Sequence, residues 1–405
     1  MDDWINDAVK ERSNESFPVR ARVVCRSHAP RFKSGSNRRS GNVKVGFLVL
    51  LALASSCPRA DAQEANKISP TAPELFFPKN DSDWKRLKAA DLHWNETALN
   101  DMLRYAGEQK SSAVVVLWRG QIVVERYWNV AGSQRYKAKL YGKDNAGHWL
   151  EDVASIQKSL AAILLGIALD KKLLKLDEPV TKYLTQGWSN ASVAEESKIT
   201  LKHLISMSSG LNDQLEFQSK PDRRWKYNTN AYSQIMNVLE AASGLDRNSL
   251  TQQWLSALQM KNSSWKVRRF ATIDPKMNHH GWVTSARDLA RLGLLVLANG
   301  DWEGQPVVQD KTYMREMLES SQSLNPAYGY LWWLNGKSHA FRAGRLREGP
   351  LNPNAPQEMV AGLGALGRKL YVVPNLHLVM ARLGDQPEAN FDNQLWAYFS
   401  KVLNR

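Results

Sequence analysis

Apolar residues fall in two regimes along this chain. From Ala113 to Trp118 and from Ile122 to Trp128 they form nearly continuous runs rich in β-branched residues, split by Arg119-Gly120, which predicts a hairpin over Ser112–Trp128. From Leu160 to Leu169 the chain is apolar nearly all round, the pattern of a core helix. Helical spacing recurs over Leu201–Met207, ended by Ser208-Ser209-Gly210, over Tyr232–Ala242, ended by Gly244, and over Leu250–Leu258. It recurs again over Ala286–Ala298, opened by the capping pair Ser285 and Asp288 and ended by Gly300. Strand character returns at Tyr328–Leu334, Lys369–Val373 and Leu376–Leu383, before an amphipathic helix over Phe391–Leu403. Ser338–Glu358, with Arg342, Arg345, Arg347 and three prolines, reads as an exposed loop or lid.

Strands early, helices in the middle and strands late predict an α/β protein of the α+β type. Its antiparallel sheet is built from both chain ends and flanked by helices, with a helical lobe inserted at about 175–320. No Gly/Ser or Pro linker divides residues 63–405, so one catalytic unit with two lobes is expected there.

The first 62 residues read as a leader. Arg38, Arg39 and Lys44 precede the apolar run Val45–Ala54 and the small-x-small site Ala60-Asp61-Ala62, the layout of a secretory signal over 43–62. The run is too short to span a bilayer as a stable helix, so a periplasmic or secreted product is expected. Translation is expected to start at Val43, which would leave residues 1–42 outside the protein. A lipoprotein acylated at Cys57 is the weaker alternative, because Ala54 stands where a large aliphatic residue is needed. Cys25 and Cys57 both precede the cleavage site, which excludes disulfides, a thiolate nucleophile and cysteine metal sites from residues 63–405.

The chain carries 54 basic and 40 acidic residues; residues 1–62 hold 11 and 6 of these, which leaves 43 against 34, a charge of +9. That balance suits an anionic cell-envelope surface or carboxylate-bearing substrates. No basic tract is interleaved with a nucleic-acid motif, so no nucleic-acid partner is expected.

Candidate chemistry starts from a serine and a lysine three residues apart. The spacing occurs at Ser82/Lys85, Ser155/Lys158 and Ser263/Lys266, and the last two sit in different surroundings: Ser155 opens the apolar helix, whereas Val267, Arg268 and Arg269 come directly after Lys266. Ser82 lies in a polar stretch. Residues at i and i+3 share a helix face. A serine hydroxyl needs a base, and a lysine serves as one when burial disfavours its charged form. The free N–H groups of a helix start also favour the developing oxyanion.

Two other motifs lead elsewhere. Gly362–Gly367 fits Gly-x-Gly-x-x-Gly with Asp385 beyond it, but the strand-like Leu370–Val373 and Pro374 come where a dinucleotide site needs a helix. His279 and His280 are adjacent and point apart, no His-x-x-x-His pair exists, and a loop before Ala286 explains them without a metal.

Taken in order, Ser155-Ile156-Gln157-Lys158, Leu201–Gly210, Trp225-Lys226-Tyr227-Asn228-Thr229-Asn230, Gly281–Gly293, Tyr328–Trp333 and Gly364–Arg368 resemble the serine beta-lactamase and penicillin-binding-protein superfamily. The resemblance is to its class C-like branch, which also holds esterases and 6-aminohexanoate-dimer hydrolases. It implies a beta-lactamase/DD-peptidase-like fold and an acyl-enzyme on Ser155, with Lys158 as base and Tyr227 relaying the proton. Thr229 stands where Tyr-x-Asn would have its Asn, so a substrate-binding polar contact falls to Thr229 or to Asn230. Gly364 and Ala365 match the strand beside the nucleophile, which implies an oxyanion hole from the N–H groups of Ser155 and Ala365.

At that strand beta-lactamases and transpeptidases carry Lys-Thr-Gly or His-x-Gly, whereas Gly362 and Leu363 precede Gly364 here. Arg368 is the candidate replacement cation, and Trp332 and Trp333 the candidate aromatic walls. The expected activity is therefore hydrolysis of a small-molecule ester, amide or peptide without a cofactor. The alternatives are a beta-lactamase or D-Ala-type peptidase, and a non-catalytic relative that binds cell-wall peptides.

Overall fold

A computed structural model of the protein describes residues 74–404; the leader and its cleavage site lie outside the described residues. A six-stranded antiparallel sheet runs in the order Gln121–Tyr127, Ser111–Trp118, Leu378–Gly384, Lys369–Val373, Val360–Leu363 and Trp333–Leu334. It is thus built from both ends of the described chain, with the late strand Leu378–Gly384 at its centre in register from Ala113↔Leu383 to Trp118↔Leu378. All of Leu378–Gly384 is buried, which accounts for its unbroken apolar character: a strand covered on both faces has no reason to alternate.

One face of the sheet is covered by the helix Ala286–Leu297. A Cβ at its Gly293 would stand 2.5 Å from Val379 and 2.8 Å from Leu370, so the helix sits close because the side chain is missing. The opposite face carries Tyr371, against which Trp396 of the helix Phe391–Val402 packs edge-on at 5.4 Å. Asn95, capping the helix Glu96–Glu108, donates its N–H to Val402 at 2.9 Å, tying the first described helix to the last.

The predicted core helix spans Ile156–Asp170 and is buried from Ile156 to Ala168. It packs beside Thr229–Ser243, whose C-cap Gly244 has φ 70°, as the Gly-terminated pattern implied. Arg119 and Gly120, both left-handed at φ 48° and 78°, turn the first hairpin.

Three expectations need correction. The lobe at about 175–320 is not purely helical: Ser264–Val267 and His280–Thr284 join Leu140–Lys143 and Trp149–Asp152 in a four-stranded sheet, and Ala286–Leu297 belongs to the main sheet. These strands are short and carry charged or imidazole side chains, so periodicity does not reveal them. Tyr328–Leu334 is a strand at Trp333–Leu334 alone, because Leu331 is left-handed at φ 59° and Tyr330 and Leu331 donate their N–H groups to Met317 and Ile205. Within Ser338–Glu358, His339–Arg342 and Arg345–Glu348 form a hairpin turned by Ala343 and Gly344.

Candidate active site

The strand Trp149–Asp152 delivers the chain to Ser155 through Ala154, held left-handed at φ 50°. Asp152 Oδ1 accepts the Ala154 N–H at 2.9 Å and fixes this turn, a conformation that costs a non-glycine residue energy when unsupported. Ser155 then stands directly ahead of the helix Ile156–Asp170, its hydroxyl making no capping bond, and is half-buried.

One turn on, Lys158 Nζ lies 3.1 Å from Ser155 Oγ, and the lysine is 1 % exposed. The same nitrogen donates to Thr229 Oγ1 at 3.1 Å and stands 4.7 Å from the ring centroids of both Tyr227 and Tyr232. These partners come from one helix start. Asn228 caps Thr229–Ser243 by accepting the Ala231 N–H at 2.9 Å, and it donates to the carbonyls of Leu211 and Asn212. That cap places Tyr227, Thr229 and Tyr232 around the lysine.

The structure therefore brings Ser155, Lys158, Tyr227 and Thr229 together. The other two serine–lysine spacings lead elsewhere: the Ser82 hydroxyl donates to Asn80 and the Ser263 hydroxyl lies between Thr284 and Asp288. Asn230 donates to the Asp213 carbonyl at 2.7 Å and accepts the Asn278 N–H at 2.9 Å.

Gly362 and Gly364 let the strand Val360–Leu363 lie against the serine turn. A Cβ at Gly364 would meet the Val153 carbonyl at 2.4 Å, and one at Gly362 would reach Ile156 and Ser159 at 3.1 Å. Ala365 comes directly after, 8 % exposed.

Arg368 does not supply a cation to the site. It is fully buried and paired with Glu151 at 2.8 Å, because a guanidinium cut off from water needs a carboxylate close by. Trp332 is fully buried as well, so it is no wall of the site. Trp333 stacks on Tyr227 at 5.8 Å and 23° and meets Tyr328 edge-on at 4.9 Å, while Trp225 links this cluster to Phe341 of the 339–348 hairpin.

Sequence reasoning missed a polar support behind the turn. Asp152 is fully buried and also accepts from Lys139 Nζ at 3.0 Å and from Arg268 Nε at 2.8 Å. Burial alone would raise its pKa, but Arg268 and Lys139 overcome this and hold the carboxyl well below the usual carboxylate range. Burial in turn pulls the Lys139 pKa down, against the opposing pull of Asp152. Arg268 continues to Gln157 Oε1 at 3.0 Å, which also accepts the Trp282 N–H at 3.2 Å. The available signal was Glu151-Asp152 itself, two acids directly ahead of an apolar helix.

The Beta-lactamase family model matches residues 99–403. An uncharacterized protein of Alkalihalophilus pseudofirmus is 24 % identical over 294 residues, covering 67 % of this chain and 82 % of its own. Among solved structures, a putative beta-lactamase from Bacteroides dorei aligns with TM-score 0.57 at 18 % identity, over 77 % of this chain and 100 % of its own. A putative 6-aminohexanoate-dimer hydrolase from Bacillus anthracis aligns with TM-score 0.54 at 17 % identity, over 76 % and 82 %. The structural likenesses are of fold, and they agree with the mixed architecture of helices and antiparallel sheet. With the family match running from the first helix to the end of the last, the chain belongs to the Beta-lactamase family.

Proposed function

We propose that the protein is an exported serine hydrolase that cleaves an ester or amide bond through an acyl-enzyme on Ser155. The observation that carries this is the 3.1 Å contact between Ser155 Oγ and a lysine nitrogen withdrawn from water. Ser155 Oγ attacks the substrate carbonyl carbon while Lys158 takes the hydroxyl proton. The N–H groups of Ser155 and Ala365 hold the oxyanion, and Tyr227 passes a proton to the departing alcohol or amine. Water attacks the acyl-enzyme with the proton path reversed, which frees the acid and restores the serine. No cofactor takes part.

Two features favour ordinary esters and amides over beta-lactams. The strand position ahead of Gly364 holds no cation, and the Arg368 guanidinium is spent on Glu151. The fold likeness to a protein described as a 6-aminohexanoate-dimer hydrolase supports an amide among the substrates. Export rests on the composition of residues 43–62.

A fluorophosphonate probe tests the reading. Intact mass should show one adduct, placed on Ser155 by peptide mapping and absent from Ser155→Ala. No adduct with any acylating probe would overturn catalysis in favour of a binding relative. Nitrocefin turnover matching that of p-nitrophenyl esters would overturn the choice of substrate.

A further inference from the structure

The segment leaving the strand Ser264–Val267 and returning at His280–Thr284 presents apolar groups to water. Phe270 is 97 % and Ile273 76 % exposed. Nine large apolar side chains are exposed among the described residues, and four of them, Val267, Phe270, Ile273 and Met277, fall within eleven consecutive positions. Single exposed apolar residues are ordinary, but a cluster marks an interaction surface.

Cations surround this tip. Lys266 and Arg269 are exposed, and the Arg269 guanidinium lies 5.1 Å over the Tyr141 ring while the Arg269 backbone N–H donates to the Tyr141 hydroxyl at 3.3 Å. On the same hairpin as Tyr141, Lys143 Nζ stands 4.7 Å over Trp149, which is itself exposed. The one carboxylate in the segment, Asp274, accepts the Lys276 N–H at 2.8 Å, and the Lys276 ammonium is committed to Ser189 and Asn190. The outward face is therefore apolar with a basic collar.

The tip is held out, not collapsed. Arg268 donates its N–H to His279 at 2.9 Å, Ala271 to Arg268 at 3.1 Å and Met277 to Asp274 at 2.9 Å, while the Arg268 side chain grips Asp152. At the far end Asn278 bonds Asn230 and Gln157, beside the serine turn.

We infer that this tip docks the protein on an anionic lipid surface. Phe270 and Ile273 enter the acyl boundary, and Lys266, Arg269 and Lys143 meet lipid phosphates. A protruding apolar tip ringed by cations complements a layer with an apolar interior and anionic heads, and the charge of +9 that remains without the leader has the matching sign.

Hydrogen exchange of the full chain with vesicles tests the inference independently of any catalytic activity. Peptides spanning 267–277 gain protection with vesicles containing phosphatidylglycerol, lose it as salt rises, and show none with phosphatidylcholine alone. Phe270→Ser with Ile273→Ser weakens this binding roughly ten-fold or more, and Lys266→Gln with Arg269→Gln weakens it several-fold, while turnover of a soluble ester is unchanged. Unaltered exchange in the loop on anionic vesicles, or equal protection in the Phe270/Ile273 variant, overturns the inference. So does a dimer that Phe270→Ser dissociates, which would make the tip a self-association surface.

Discussion

Lys158 Nζ is as close to Thr229 Oγ1 as to Ser155 Oγ, 3.1 Å in both cases. Two hydroxyls thus share one buried nitrogen, and the threonine fixes where that nitrogen points. Thr229→Val keeps the volume and removes the acceptor, so it should lower ester kcat by about two- to ten-fold, the worth of one neutral hydrogen bond. Thr229→Ser should restore most of it. Equal turnover in the valine variant would remove Thr229 from the machinery.

Lys158→Met replaces the buried amine by an apolar chain of similar length. The Ser155 and Thr229 hydroxyls lose a partner, a cost of about 1–3 kcal/mol, so the melting temperature should fall by no more than about ten degrees while acylation by a fluorophosphonate slows by about a thousand-fold or more. Stopped-flow acylation and circular dichroism read the two effects separately. Near-native acylation would take the base role from Lys158.

Asp152→Asn leaves the half-buried Arg268 and Lys139 without their carboxylate, at a cost of about 1–3 kcal/mol in urea unfolding. The native carboxyl has a folded pKa below its ordinary 3.8, so its stabilisation is present in full above that value and is lost as pH falls through the lower folded value. The asparagine variant should lack this acid-side loss. A parallel decline of both proteins from neutral to acid pH would contradict the assignment.

Gly364→Ala places a Cβ 2.4 Å from the Val153 carbonyl, and backbone cannot yield as a flexible side chain does. The strand must move away from the serine turn, with an overpacking cost of about 1–3 kcal/mol. Acylation should fall more than substrate binding, seen as a lower kcat at similar KM. A variant with native kcat would show that this close approach is dispensable.

The parts legible in the sequence are those whose burial imposes a pattern. The hairpin around Arg119-Gly120, the apolar helix after Ser155 and the glycine-ended helices all read directly, because one covered face or one left-handed residue selects the residue type. The nearness of Ser155 and a buried Lys158 was legible for the same reason, since the helix behind them is apolar nearly all round. Arg368 was misread because a lone arginine looks the same whether it faces a substrate or a buried Glu151. The support formed by Asp152, Arg268 and Gln157 was missed because Arg268 arrives from over a hundred positions away, directly after a strand too short to show alternation.

The strand at the middle of the main sheet, Leu378–Gly384, is the last of the described strands in chain order. Until it is made, Ser111–Trp118 lacks its inner neighbour and Lys369–Val373 is an open edge, so the nascent polypeptide carries an unfinished sheet through all the described strands before it. Completion of the sheet therefore waits on this strand, with open edges exposed to aggregation until then, and a premature stop before it leaves the early hairpin and the late strands unjoined.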